Sequence, residues 1–276
     1  MPAAESDLVR NILVVIDPTR LVQPALEKAE WVASRNGATL HLFCCLWDDE
    51  VADDAGSSII IDQTSAFIER LAESSRKKGL EVAVEVNWDR NWRERIAMAA
   101  RDIDADLIVK NVSRHSLIRR QLMRTSDWVV LRNASCPTLL VDARRPPNPK
   151  VVLAAVKLKP QDETHTILNE RVLDMAHRLV EAFQGELHAA TVYKGEDIYF
   201  DRQRFADSCR LPRSNVHASE GTPAKGIAEV AARIGADVLV VGCAATSVPE
   251  RGMIIGDTAQ RVIDEVATDV VVVPGP

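Results

Sequence analysis

The chain has 276 residues, 27% of them charged and 46% hydrophobic, with a formal net charge of −6. That balance is ordinary for a soluble globular protein, and the acidic total speaks weakly against nucleic acid as a partner, since such binding rests on neutralising phosphates. No apolar run approaches the roughly 20 residues that span a bilayer, so no membrane insertion is expected. The start, MPAAESDLVR, has neither the basic nor the apolar region of a secretory leader. Cys44, Cys45, Cys136, Cys209 and Cys243 form no Cys-x-x-Cys pair and no zinc-ligand spacing. They read as buried structural thiols in a reducing cytoplasm.

Along the first half, strands are expected near 11–16, 39–46, 81–86, 106–110 and 138–141, and helices near 22–35, 59–78, 91–103 and 126–133. Val22, Ala25, Leu26, Ala29, Val32 and Ala33 step at helical spacing, and Gly37 supplies a stop. The segment RRPPNPK (144–150) carries three prolines and three basic residues and reads as a stiff, exposed linker. Beyond it, strands are expected near 151–156, 186–193, 215–219, 237–241 and 269–273, with helices near 164–183, 197–209, 223–234 and 258–266.

The second half repeats the first. RIAMAARDIDADLIV (95–109) matches GIAEVAARIGADVLV (226–240) at an offset of 131 residues. Ile96, Ala99, Ala100 and Ile103 fall on Ile227, Val230, Ala231 and Ile234, one helical face in each copy, and Ala105-Asp106 falls on Ala236-Asp237 before an apolar run. NILVVID (11–17) pairs with VVLAAVK (151–157), TLLVD (138–142) with VVVVP (270–274), and Gly37–His41 with Gly185–His188, one residue shorter. Continuous apolar strands alternating with helices predict doubly wound parallel sheets. The division is therefore 1–143, linker 144–150, and 151–276, with five strands in each copy. Final strands as apolar as TLLV and VVVV need cover, which two copies packed strand to strand would give. The expected architecture is an intramolecular pseudo-dimer, and pairing of two whole chains as a homodimer is left open.

ILVVID (12–17), DVLVVGCAATSVPERGMIIGDTAQRVI (237–263) and CPTLLVD (136–142) resemble three stretches of the universal stress proteins. DLIVKNVSRHSLIRRQLMRTSDWVVLRNASCPTLLV (106–141) resembles the first half of their tandem E-type members. The resemblance covers nearly the whole chain and is weakest at 195–212. It implies the doubly wound, adenine-nucleotide alpha hydrolase-like fold, a cytoplasmic location, dimer-like packing and a role in surviving starvation, oxidants or DNA damage.

Many members of that family bind ATP through G-x-x-G-x(9)-G-[ST] after the fourth strand, with an aspartate ending the first. Glycines let backbone N–H groups reach phosphates without a Cβ in the way. Here Gly242 keeps the first position and Ala245 replaces the second; Gly256 comes one residue late, and Asp257 replaces Ser/Thr. Lys157 stands where the aspartate belongs, able to meet an anion but not to accept a ribose hydrogen bond. In the first copy Asp17 is present, while Asn111, Arg114 and Arg124 stand at the glycine positions and Thr125 follows. Arg114, His115, Arg119, Arg120 and Arg124 form either an anion patch or, the preferred reading, a solvated basic face.

Asp17 reads equally as a ligand contact or as a carboxylate capping nearby N–H groups. His41 and His188 hold matched positions, with no nucleophile and oriented base beside them; packed strand histidines are the preferred reading. Trp88 and Trp92 cover a cleft or cap the core. No catalytic residue and no metal ligand is assigned. The expected function is non-enzymatic stress protection with degenerate nucleotide loops and no obligate cofactor, through an unidentified protein or small-molecule partner, an apolar ligand included. The alternatives are an ATP-binding sensor or slow ATPase at Asp17, Lys157, Gly242, Gly256 and Asp257, and a DNA-associated protective protein.

Overall fold

The computed structural model describes residues 9–51, 54–112, 127–145, 148–160, 162–193, 200–243, 245–248, 252–255 and 257–276. They fall into two compact units, one of residues 9–112 and 127–143 and one of residues 144–276.

The first unit runs β1 (Asn11–Val15), α1 (Pro24–Asn36), β2 (Thr39–Leu46), α2 (Asp54–Lys77), β3 (Val82–Trp88), α3 (Trp92–Asp102), β4 (Leu107–Asn111), α4 (Asp127–Asn133) and β5 (Thr138–Val141). Its strands pair in parallel in the order β3-β2-β1-β4-β5. The β1–β2 register sets Leu13 against His41, and the β1–β4 register sets Leu13 against Ile108. β4 and β5 are buried along their whole length, which is why each carries three consecutive apolar residues, Leu107–Val109 and Leu139–Val141. Leu13, Phe43, Ile96, Ala99, Ala100, Ile108 and Val130 form a core between the sheet and the α3/α4 layer. Ile96, Ala99 and Ala100 are the repeated helical face seen in the sequence. α1 stops at Gly37, whose φ of 66° lets its N–H reach the Ala33 carbonyl.

The second unit runs β6 (Val151–Ala155), α5 (Glu163–Phe183), β7 (Glu186–Tyr193), α6 (Arg202–Cys209), β8 (Val216–Glu220), α7 (Pro223–Ile234), β9 (Val238–Cys243), β10 (Ala245–Val248), β11 (Gly252–Ile255), α8 (Asp257–Glu265) and β12 (Asp269–Pro274). Its parallel order, β8-β7-β6-β9-β12, repeats that of the first unit. The α5–β7 turn has two residues, as its counterpart between α1 and β2 does. Gln184 takes the left-handed conformation, φ 51°, and Gly185 passes so close to the Lys150 carbonyl that a Cβ there would strike it.

The matched aspartates do one job in both units. Asp106 Oδ2 accepts from the N–H groups of Arg10 (2.8 Å) and Asn11 (2.9 Å), and Asp237 Oδ2 from those of Lys150 (2.8 Å) and Val151 (3.1 Å). Each ties the start of its unit's first strand to the start of its fourth. The segment 144–150 is less free than its composition suggests: Arg145 donates to the Ala236 carbonyl at 2.7 Å, and Pro149 is buried.

Three details depart from the sequence-based elements. α6 begins at Arg202, five residues after the expected start. α2 begins at Asp54, five residues before the expected start. The stretch after β9, expected as a glycine-containing loop, folds instead as the antiparallel hairpin β10/β11, with Thr246 opposite Ile254.

Candidate functional site

In a doubly wound sheet the ligand crevice opens at the carboxyl ends of the strands where the order reverses. Here that point lies between β1 and β4 in the first unit and between β6 and β9 in the second. A helix N-terminus faces each point, and its free N–H groups and dipole favour an anion.

In the first unit, side chains of the chain itself take those groups. Asn111, ending β4, is buried, and its Oδ1 accepts the Ala25 N–H at 3.0 Å, in the first turn of α1. Its Nδ2 donates to Gln23 Oε1 at 3.5 Å. Gln23, buried just before α1, donates from Nε2 to the carbonyls of Asp17 (2.6 Å) and Arg20 (2.8 Å), while its Oε1 accepts the Asp17 N–H at 3.4 Å. Asp17 spends its carboxylate on its own loop: Oδ1 accepts from Thr19 N (3.0 Å) and Oγ1 (2.6 Å), and Oδ2 pairs with Arg20 Nε at 3.0 Å. Of the two roles open to Asp17, local capping is the one this geometry displays.

On the opposite face of β4, Lys110 Nζ lies 2.6 Å from Asp127 Oδ1, both buried. The pair ties the end of β4 to the start of α4.

In the second unit the same crevice is filled differently. Gly242 lacks a side chain, and Leu168 of α5 occupies the space; a Cβ at Gly242 would lie 2.6 Å from Leu168 Cγ. Asn169 clasps Lys157 as Gln23 clasps Asp17, with Oδ1 accepting the Lys157 N–H at 3.0 Å and Nδ2 donating to its carbonyl at 2.8 Å. The Lys157 side chain is exposed. Asp257 opens α8. Gly256 and the basic residues Arg114, His115, Arg119, Arg120 and Arg124 lie outside the described residues.

Sequence reasoning marked Asn111 and Gly242 but missed Gln23, Leu168 and Asn169. The amides stand six residues after Asp17 and twelve after Lys157, so no shared spacing linked them. Leu168 reads as one more apolar residue of an amphipathic helix.

The histidines lie toward the amino ends of their strands. His41 Nε2 is 3.4 Å from Asn11 Oδ1, and burial lowers its pKa against the opposing pull of Glu85. His188 Nδ1 lies 3.0 Å from His217 Nε2 with the rings stacked, and Glu186 Oε1 is 3.5 Å from His188 Nε2. Burial first, then the charges of His188, Arg233 and Arg202, lower the His217 pKa to about 4. Trp92 packs on the first unit's core, whereas Trp88 meets Trp47, ring centroids 5.8 Å apart. Burial raises the thiols of Cys44 and Cys136 to about 12 and those of Cys45 and Cys209 to about 11, a range that holds them as unreactive thiols. Among the described residues, no group of three or more His, Cys, Asp or Glu is arranged to hold a metal ion. Among the same residues, no helix is long and apolar enough to cross a membrane.

Two units with one strand order, each turning at a first-strand/fourth-strand crevice, define a tandem protein of the doubly wound α/β class. The universal stress protein family matches residues 9–142 and 201–274, and the chain belongs to that family. It is similar over 301 aligned residues, at 25% identity, to Universal stress protein E of Escherichia coli (strain K12), covering 96% of this chain and 94% of that one. Among solved structures it resembles a functionally unknown protein from Pseudomonas aeruginosa PAO1, with 25% identity and a TM-score of 0.79 over 97% of this chain and 93% of that one. A universal stress protein from Archaeoglobus fulgidus DSM 4304 shares the fold at 17% identity, with a TM-score of 0.75 over 97% of each chain.

Proposed function

We propose that this stress-response protein is non-enzymatic and cytoplasmic, and that it protects cells through its surface or a bound apolar molecule rather than by turning over nucleotide. The observation that carries this reading is the filling of both crevices by the chain's own side chains. Asn111 and Gln23 take the helix N–H and loop groups that a ligand would use. Leu168 stands in front of Gly242, the glycine left at the first position of the family motif. An anion entering either crevice would have to break these hydrogen bonds or expel an apolar side chain. Displacing a satisfied buried amide leaves its partners unpaired, at about 1–3 kcal/mol for each group.

The test is to purify the chain gently from its native cell, denature it and identify released small molecules by mass spectrometry. An empty protein or a recovered fatty acyl compound is expected. Stoichiometric nucleotide would overturn the reading.

A further inference from the structure

We infer that the carboxyl-end edge of the first unit is a docking surface for a cationic amphipathic peptide segment of a partner protein. The inference deepens the surface-acting reading above.

The loop between β1 and α1 is locked. Asp17 holds Thr19 and Arg20, and Gln23 holds the carbonyls of Asp17 and Arg20. At its tip Leu21 is 90% exposed and Val22 64% exposed. A free loop would tuck such side chains away; a loop whose backbone is already fixed cannot, and it has less ordering entropy to lose on binding.

The apolar strip continues along the same edge. Trp47 follows the end of β2 and meets Trp88 at the end of β3, and Ile59, 57% exposed, lies near the start of α2. Both crossovers step from β1 toward β3, and right-handed connections put α1 and α2 on one face. Ser75 Oγ of α2 donates to Glu30 of α1 at 2.6 Å, as that placement requires. Exposed apolar residues gathered at the carboxyl ends of neighbouring strands, with an aromatic among them, mark interaction sites.

Charge selects the occupant. Among the described residues, Glu27, Asp48, Asp49, Glu50 and Asp62 stand exposed around the strip, while Arg20 is held by Asp17 and Arg90 is an exposed counter-charge. An acidic rim repels anionic lipid headgroups and nucleic-acid phosphates. A second copy would bring the same acids and another −6 of net charge. Apolar side chains interleaved with Lys and Arg complement both features.

The test uses the full chain and a fluorescent 14-residue helical peptide of Leu and Lys, with a Leu/Glu peptide of the same apolar pattern as control. Saturable binding of the Leu/Lys peptide alone is expected. It should weaken at least about tenfold both in Leu21→Ser/Val22→Ser and in Asp48→Asn/Asp49→Asn/Glu50→Gln, with melting temperatures unchanged. The inference fails if either variant binds like the wild type, or if the Leu/Glu peptide binds as well. It fails too if sedimentation shows that the Leu21/Val22 substitutions dissolve a dimer, for then a second copy is the occupant. Mg·ATP is titrated into the same preparation. A melting temperature raised by ATP with peptide binding intact sinks the functional reading and spares the surface, and the reverse pattern sinks the surface alone.

Discussion

Lys110 is a cation on a buried strand, just after the apolar run Leu107–Val109, and it is tolerated because Asp127 meets it at 2.6 Å. Removing one member of a buried pair strands the other. Lys110→Met should therefore cost the first unit about 3–5 kcal/mol, and Lys110→Met/Asp127→Leu should recover most of it; urea unfolding of the three chains decides this. Burial of His217, reinforced by His188, Arg233 and Arg202, sets a pH dependence. His217 has a pKa of about 4 when folded and about 6.5 when unfolded, so the unfolded chain binds the proton more readily. Stability of the second unit is then complete above about pH 6.5 and falls as the pH drops toward 4. His217→Gln should flatten that window, seen as a smaller loss of urea midpoint between pH 7 and 4.5 than the wild type shows.

Among the elements, the repeat made most of the fold legible. The helix face Ile96/Ala99/Ala100 and its partner Ile227/Val230/Ala231 lie buried as their spacing requires. The Ala-Asp pairs proved to be strand clamps, a role that takes no regular spacing and shows only when the start of β1 lies beside the start of β4. Asp106→Ala and Asp237→Ala should each destabilise their own unit by about 2 kcal/mol, the scale for hydrogen bonds to a charged group, measured by the same unfolding transitions. The hairpin β10/β11 is hidden in the sequence because its residues carry the remnants of a glycine loop, and such a remnant implies a loop rather than paired strands. The crevice fillers were hidden for another reason: an amide or a leucine on a helix announces nothing until the strand it faces is known. Leu168 and Gly242 give a direct check. Gly242→Ala should cost about 1–3 kcal/mol by overpacking against Leu168, and a Leu168→Ala background should remove that penalty, a coupling that a double-mutant cycle reads.

At the scale of the whole molecule, two units share one topology and one place for a ligand, yet fill that place with different side chains. The first uses Asn111 and Gln23, hydrogen-bonded to a helix start and a loop. The second uses Leu168 and Asn169, one apolar and one amide. Two unlike fillings at matched positions fit a fold kept for its surface while its crevices closed. The proposed pairing of the two final strands belongs to this scale as well and rests on their apolar sequence. On that proposal, either half expressed alone should self-associate in sedimentation, and the intact chain should not.

The central claim, that neither crevice takes nucleotide, is tested most directly by thermal unfolding of the intact chain with and without millimolar Mg·ATP. A ligand that binds only the native state must raise the melting temperature once its concentration passes its dissociation constant. The account predicts superimposable curves. A rise that saturates with ATP and is lost in Gly242→Ala would contradict it.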